Sequence, residues 1–358
     1  MAANRMNRDE FFAQLSRLDD DRIRKALWNL YWRGSAELRE RIEGELEPAA
    51  KAARARAAAQ PADPESVLAE VRDFVELARA GAYMYGDRRV SPKERTRWRV
   101  TFRQLTADAL SALRAPDAGP AQEAVALTVD LACDTRGSDY FHSEDPIEAA
   151  RFVVSDAVEI LWKTVRDEQG FAPFAKLAAG QLPRWESKYG WTRSGWGQLS
   201  QKESTLASVL AGMLTAPDMW ATFADCYLDA LDAIARSEAA APPSRDFGYD
   251  AKSLGRRDRT RNLADWHELL LDHLAGREAD DRPDRLVHHP ALDGADLVFL
   301  QARLAARRDD RDLARKLVQE CLEAMPGSED YAAFATEIGA EFPARARQLA
   351  DDRARFAT

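Results

Sequence analysis

Cysteine, glycine, proline and long apolar runs are all scarce in this chain of 358 residues. Its three cysteines form no CxxC pair, which argues against both a disulfide framework and a structural zinc site. Eighteen glycines and sixteen prolines are too few for a collagen-like or low-complexity protein. The longest clean apolar run covers nine residues, 206–214, whereas a bilayer span needs about 20. We therefore expect no membrane-spanning segment.

Positive charge is also in the minority. The chain holds 51 Lys and Arg against 60 Asp and Glu, a formal net charge of −9 at pH 7. This balance disfavours a protein that binds nucleic acid with its whole surface, but it leaves local basic patches open. The start of the chain includes Arg5 and Arg8 without an apolar stretch, so we expect no signal peptide and a cytoplasmic location.

What the sequence does contain is apolar residues at helical spacing along almost its whole length. Val67, Val71, Phe74 and Ala78 form one such run. Runs of alternating polar and apolar residues, which are typical of strands, are nearly missing. The pattern predicts an all-α protein.

Start signals support several of these helices. A capping side chain stands directly before a proline at Asp63-Pro64, Ser91-Pro92 and Asp145-Pro146. Proline is tolerated at the first helical position because the N–H that it lacks would have no intrahelical partner. Ser200 with Glu203 predicts a further cap, just before the apolar run that begins at Leu206.

One segment interrupts the helical pattern. Residues 237–261 hold two consecutive prolines, two glycines and an arginine-rich run at 256–261, with no apolar face. Such a composition predicts a linker. We therefore expect an N-terminal helical domain over 1–236 and a C-terminal helical domain over 262–358.

Residues 295–328 resemble one helical hairpin of the tetratricopeptide family. The resemblance depends on small and apolar positions and on a closing proline: Ala302, Ala305, Ala314, Val318, Cys321, Leu322 and Pro326. The family's large apolar residue in the first helix is replaced by Gln301, and no second copy lies 34 residues away in either direction. The resemblance implies a helical-repeat, solenoid-like array of helical hairpins, in which each helix pair packs on its neighbours and partners bind on a concave face. The alternative is an ordinary helical hairpin.

The segment 185–196 combines aromatic residues with cations and glycines. Its candidate residues are Trp185, Tyr189, Trp191, Arg193 and Trp196. Exposed aromatic and arginine side chains are typical of interaction surfaces, so one interpretation is a partner-binding site. The other interpretation is a loop whose tryptophans cover the core.

An arginine-rich segment at 88–103 is the strongest candidate for nucleic-acid binding. It contains Arg88, Arg89, Arg95, Arg99 and Arg103, and the last three recur every four residues beside an apolar helix face. Such a stripe can follow a line of phosphates. It can equally be a solvated face that pairs with carboxylates on a neighbouring helix, and the same two interpretations apply to 256–261.

A polar loop at 134–145 offers oxygen and nitrogen ligands, among them His142, but its spacing fits no known metal loop. Asp145 in this loop already has a role as a helix cap. The pair His267-Glu268 begins like a zinc-protease helix, yet Leu271 stands where the second histidine is required. With no phosphate-binding or nucleophile motif either, we expect neither a metal nor a cofactor.

Three functions remain. The leading hypothesis is a non-catalytic adaptor or scaffold that binds a macromolecular partner, with a protein favoured. The second is a nucleic-acid-associated helical protein that uses the arginine-rich segments. The third is an enzyme with a site between the loops at 134–145 and 185–196.

Overall fold

A computed structural model describes most of the chain. The described residues are 8–35, 42, 62–80, 92–136, 145–187, 199, 201–241, 251–274 and 280–356. Helices dominate these residues and none of them lies in a strand. The predicted all-α class is therefore confirmed for the described chain.

The helices are numbered here in chain order. They are α1 (Arg8–Leu15), α2 (Asp20–Arg33), α3 (Pro64–Arg79), α4 (Pro92–Ala112), α5 (Gly119–Arg136), α6 (Pro146–Ala150), α7 (Val154–Gln169), α8 (Phe171–Glu186), α9 (Leu206–Met213), α10 (Pro217–Ala240), α11 (Ala251–Asn262), α12 (Ala264–Leu274), α13 (Arg282–Val287), α14 (Ala295–Arg307), α15 (Arg311–Ala324), α16 (Glu329–Ile338) and α17 (Ala344–Phe356).

The chain forms two compact units, residues 1–61 and 62–358. In the first unit, Asp19 caps α2 by accepting a hydrogen bond from the backbone N–H of Arg22. No residue of α2 is buried. Its aromatic rings stack on one another, and the ring centroid of Trp28 lies 5.7 Å from that of Tyr31 and from that of Trp32. Trp28 and Trp32 are therefore exposed, and Tyr31 is half-buried beside Trp28.

The second unit is built around a large apolar core that extends from Val67 to Leu304 and a smaller one that extends from Phe299 to Ala346. Helix α3 packs against α4 and α5, α7 packs against α8, and α8 packs against α10. The largest fully buried side chains are four tryptophans: Trp98, Trp162, Trp185 and Trp266. Their rings fill the gaps between helices that the many alanines of these faces leave free.

The predicted linker at 237–261 is largely helical where the structure describes it. Helix α10 continues to Ala240 and α11 begins at Ala251. Arg256 and Arg259 each donate to the carboxylate of Glu238 at 2.8 Å, and Arg259 also donates to the carbonyl oxygen of Ala291 at 2.6 Å. These charge pairs hold the segment in place although it has no apolar face. The large apolar core includes residues that precede the segment and residues that follow it.

The helix starts show where cap prediction succeeds. Asp63 accepts from the N–H of Ser66, and Asp145 accepts from the N–H groups of the two residues after Pro146, which confirms both caps. Ser91 lies outside the described residues. The expected cap at Ser200 and Glu203 is wrong for α9, because Thr205 is the capping residue there.

Helices α14 and α15 pack together as a hairpin, and α16 packs against α15. The small and apolar positions that carry the tetratricopeptide resemblance are buried: Ala302, Ala305, Ala314, Val318, Cys321 and Leu322. Gln301, which departs from the family pattern, donates through Nε2 to the carbonyl oxygen of Val287 at 2.8 Å. This polar contact ties α14 to the end of α13. The contact gives Gln301 a structural role at a position where the tetratricopeptide pattern has a large apolar residue.

Candidate functional site

A cleft of about 340 Å³ opens between α12, α14 and α16. Five carboxylate side chains line it: Asp265, Glu268, Asp296, Asp330 and Glu337. Arg303 supplies the single cation among the lining residues. We call this site the acidic cleft. Its volume lies in the range of ligand-binding pockets, and its lining carries a clear excess of negative charge.

Arg303 is held inside the acidic cleft by a charge pair and by aromatic rings. Its Nη1 donates to Oε1 of Glu268 at 2.6 Å. Its guanidinium carbon lies 5.7 Å from the ring centroid of Phe299 and 5.8 Å from that of Phe334, within the range of cation–π attraction. Burial raises the pKa of Glu268, and the positive charge of Arg303 opposes that rise.

Aromatic residues form one wall of the acidic cleft. The ring of Phe299 lies 4.6 Å from that of Tyr331 and 5.4 Å, edge-on, from that of Phe334. The hydroxyl of Tyr331 donates to Oδ1 of Asp296 at 2.6 Å. Burial, together with this bond, raises the pKa of Tyr331, so the phenol keeps its proton and remains a donor.

His267 lines the inner side of the acidic cleft and is only 1% exposed. Its Nε2 pairs with the hydroxyl of Tyr227 at 2.8 Å, while its Nδ1 has no hydrogen-bond partner among the described residues. Burial, with a smaller contribution from His289, lowers the pKa of His267 to about 3. The imidazole is therefore neutral at physiological pH.

Of the candidate residues in the aromatic site at 185–196, the structure describes Trp185. Trp185 is fully buried, where it stacks on Trp162 at 6.3 Å and donates through Nε1 to Oδ1 of Asp130 at 2.9 Å. Trp185 is therefore a core residue and not an exposed anchor, because its apolar ring and its N–H are both satisfied inside the protein. The other candidates lie outside the described residues, and their role stays a prediction: Tyr189, Trp191, Arg193 and Trp196.

The predicted arginine stripe is described only in part. Arg88 and Arg89, and the side chain of Arg95, lie outside what the structure describes. Arg99 is partly buried, and Arg103 is exposed and donates to the carbonyl oxygen of Ala149 at 3.3 Å. The apolar face beside the stripe is confirmed, since Trp98 and Phe102 are buried and stack at 5.0 Å. Arg103 thus makes at least one contact that joins α4 to α6.

The polar loop at 134–145 also falls mostly outside the described residues, which resume at Asp145. Asp134 accepts a hydrogen bond from Nε of Arg79 at 3.0 Å, so its carboxylate is part of an ion pair. Among the residues that the structure describes, no group of three or more His, Cys, Asp and Glu side chains is placed to hold a metal ion.

Sequence patterns alone do not predict the acidic cleft, although α12 and α16 each carry carboxylates at helical spacing. Asp265 and Glu268 stand three residues apart on α12, and Asp330 and Glu337 stand seven apart on α16. Both spacings place two carboxylates on one face of a helix. The pattern becomes a site only when α12, α14 and α16 are brought together, and helical spacing does not encode that packing.

Comparisons with protein-family models, with curated proteins and with solved structures found no match. None of the described helices is both long enough and apolar enough to cross a membrane. The chemistry of the acidic cleft is therefore the basis for assigning a function.

Proposed function

We propose that this protein is a non-catalytic helical-repeat adaptor that binds a protein partner in the acidic cleft. One observation carries the proposal: apart from Thr260 of α11, the lining comes from α12, α14 and α16, which alternate along the chain, and α15 packs against both α14 and α16. In stacked helical hairpins, alternate helices form a continuous concave surface of this kind. The resemblance of residues 295–328 to a tetratricopeptide hairpin agrees with this arrangement.

The polar groups of the cleft favour binding over catalysis. The hydroxyl of Thr260 donates to the carbonyl oxygen of Arg256 and accepts from the N–H of Asp293, and the hydroxyl of Tyr331 is held by Asp296. A general base works best with a pKa near the working pH, whereas that of His267 is about 3. The two hydroxyls are therefore engaged in hydrogen bonds, and the imidazole of His267 is unsuited to act as a general base.

A steric block of the cleft tests the proposal. Ala333 lines the cleft and is exposed, so Ala333→Trp fills the site without touching the core. Ala324→Trp, at an exposed position at the end of α15 outside the cleft, is the matched control. Both variants are compared with the wild type in affinity capture from lysate of the native cell, with and without nuclease treatment.

We expect one or more proteins to be captured by the wild type and by Ala324→Trp but lost with Ala333→Trp, at unchanged melting temperature. Nuclease treatment is expected to leave this capture intact. Equal capture by both tryptophan variants would contradict binding in the cleft. Loss of all partners after nuclease treatment would instead favour the nucleic-acid hypothesis.

A further inference from the structure

The negative charge of the acidic cleft favours basic partners over acidic ones. Its lining sets five carboxylates against the one guanidinium of Arg303, which is paired with Glu268. Arg261, which is not a lining residue, pairs with Asp296 at 3.4 Å. The other three lining carboxylates are those of Asp265, Asp330 and Glu337. On α16, Asp330 and Glu337 are both exposed at the cleft. A partner that enters here meets a negative surface, and like charges placed against it are strongly unfavourable.

Arg303 shows which cation the cleft can hold. Its guanidinium lies over Phe299 and Phe334 at nearly equal distances, 5.7 and 5.8 Å, while Glu268 accepts its hydrogen bond. Carboxylate on one side and aromatic face on the other is the environment that binds guanidinium and ammonium groups. His267 adds no opposing charge, because it is neutral at physiological pH.

The spacing on α16 indicates an extended basic segment. Asp330 and Glu337 are seven residues apart, which is about 10 Å along the helix axis. A small monovalent cation cannot contact both carboxylates at once. In a polyproline II segment, side chains three residues apart lie on one face and about 9 Å from each other. Two arginines or lysines at that spacing match the two carboxylates.

We propose that the occupant of the acidic cleft is an extended segment of a partner protein that carries arginine or lysine at every third residue. This inference rests on the proposed function and names the chemistry of the partner. The two basic side chains pair with the exposed carboxylates of Asp330 and Glu337, while Arg303 keeps its place over the rings of Phe299 and Phe334.

The test uses the full chain and a defined probe. The probe is a fluorescein-labelled peptide of three proline-alanine-arginine repeats, and its binding is followed by fluorescence anisotropy. The cleft variant carries Asp330→Asn and Glu337→Gln. The control variant carries Glu320→Gln and Glu323→Gln, two exposed positions on α15 outside the cleft, so that both variants have the same net charge.

We expect the cleft variant to bind the peptide about tenfold more weakly than the wild type, as loss of two exposed charge pairs implies. The control variant is expected to bind within about twofold of the wild type. An equal loss in both variants would overturn the proposal, because binding would then follow the overall charge of −9 and not the cleft.

Two further probes test whether the spacing of the arginines matters and whether the ligand is a protein segment or a free polyamine. A peptide of the same composition with its three arginines adjacent is expected to bind several-fold more weakly, and equal binding would overturn the proposed spacing. Spermine is expected to compete poorly with the peptide. Tight spermine binding that depends on Asp330 and Glu337 would overturn the proposal of a protein segment and favour a free polyamine as the ligand. If no basic peptide binds while Ala333→Trp still loses a captured protein, this inference fails and the proposed function stands.

Discussion

The indole Nε1 of Trp185 donates a hydrogen bond of 2.9 Å to Oδ1 of Asp130 inside the core. Asp130 is itself almost fully buried, and Arg184 pairs with its other oxygen. Burial raises the pKa of Asp130, while the bonds from Trp185 and Arg184 favour the carboxylate. A tryptophan and an acid that are far apart in sequence thus satisfy each other where neither could reach water.

The first prediction concerns this pair. Trp185→Ala should lower the free energy of unfolding by about 3–5 kcal/mol, because it removes a large buried ring and a donor to Asp130. Trp32→Ala removes an indole that is 71% exposed and should change stability by about 0.5 kcal/mol or less. Urea denaturation measures both. Similar small effects would show that Trp185 does not support the core.

A second prediction follows from a cap that joins two distant segments. Oε1 and Oε2 of Glu203 accept the backbone N–H groups of Val154 and Ser155 at 2.8 and 2.9 Å. The residue before α7, Val153, makes no side-chain cap of its own. Glu203→Ala should therefore cost about 1–2 kcal/mol, since both N–H groups lose a charged acceptor.

Glu159→Ala, at an exposed position on α7, is the control for the Glu203 cap. It should have little effect on thermal or urea stability. If the two substitutions destabilise equally, the loss reflects general charge and not the cap of α7.

These contacts mark how far the sequence could predict the fold. The caps at Asp63 and Asp145 were predictable because donor and acceptor lie within three residues of each other. Glu203 instead caps a helix that begins 49 residues earlier, and local pattern carries no information on such a pair. The acidic cleft is the same kind of case, because its carboxylates come from α12, α14 and α16.

The third prediction is a pH dependence that comes from His267. Burial lowers the pKa of His267 to about 3, from the 6.5 that is usual for histidine. Above pH 6.5 the imidazole is neutral in both folded and unfolded chains, so it adds no pH dependence. Between pH 6.5 and 3 only the unfolded chain binds the proton, so stability falls as the pH falls, by at most about 1.4 kcal/mol per pH unit.

His267→Gln removes this titration. Urea denaturation from pH 8 to pH 4 should show a shallower loss of stability in the variant, while the two proteins run parallel above pH 7. The buried His289 contributes in the same direction, because burial lowers its pKa while Asp232 opposes the shift. Equal slopes below pH 6 would show that His267 is protonated in the folded protein.

The last prediction concerns the ion pairs that hold α11. Burial favours the protonated form of Glu238, but the hydrogen bonds from Arg256 and Arg259 outweigh it and lower the pKa of this carboxyl. Trypsin should therefore cut slowly after both arginines, since cleavage requires α11 to unwind and its charge pairs to separate. Glu238→Ala removes bonds to charged groups worth about 1.5–3 kcal/mol each.

Cleavage after Arg256 and Arg259 should accordingly be at least about tenfold faster in Glu238→Ala than in the wild type, because proteolysis follows the population of the opened segment. Mass spectrometry of a digestion time course identifies the sites. Glu323→Ala, exposed on α15, is the control and should leave both rates unchanged. Rapid cleavage after these arginines in the wild type would mean that the segment behaves as the linker that its composition predicted, and that the pairs with Glu238 do not hold it closed.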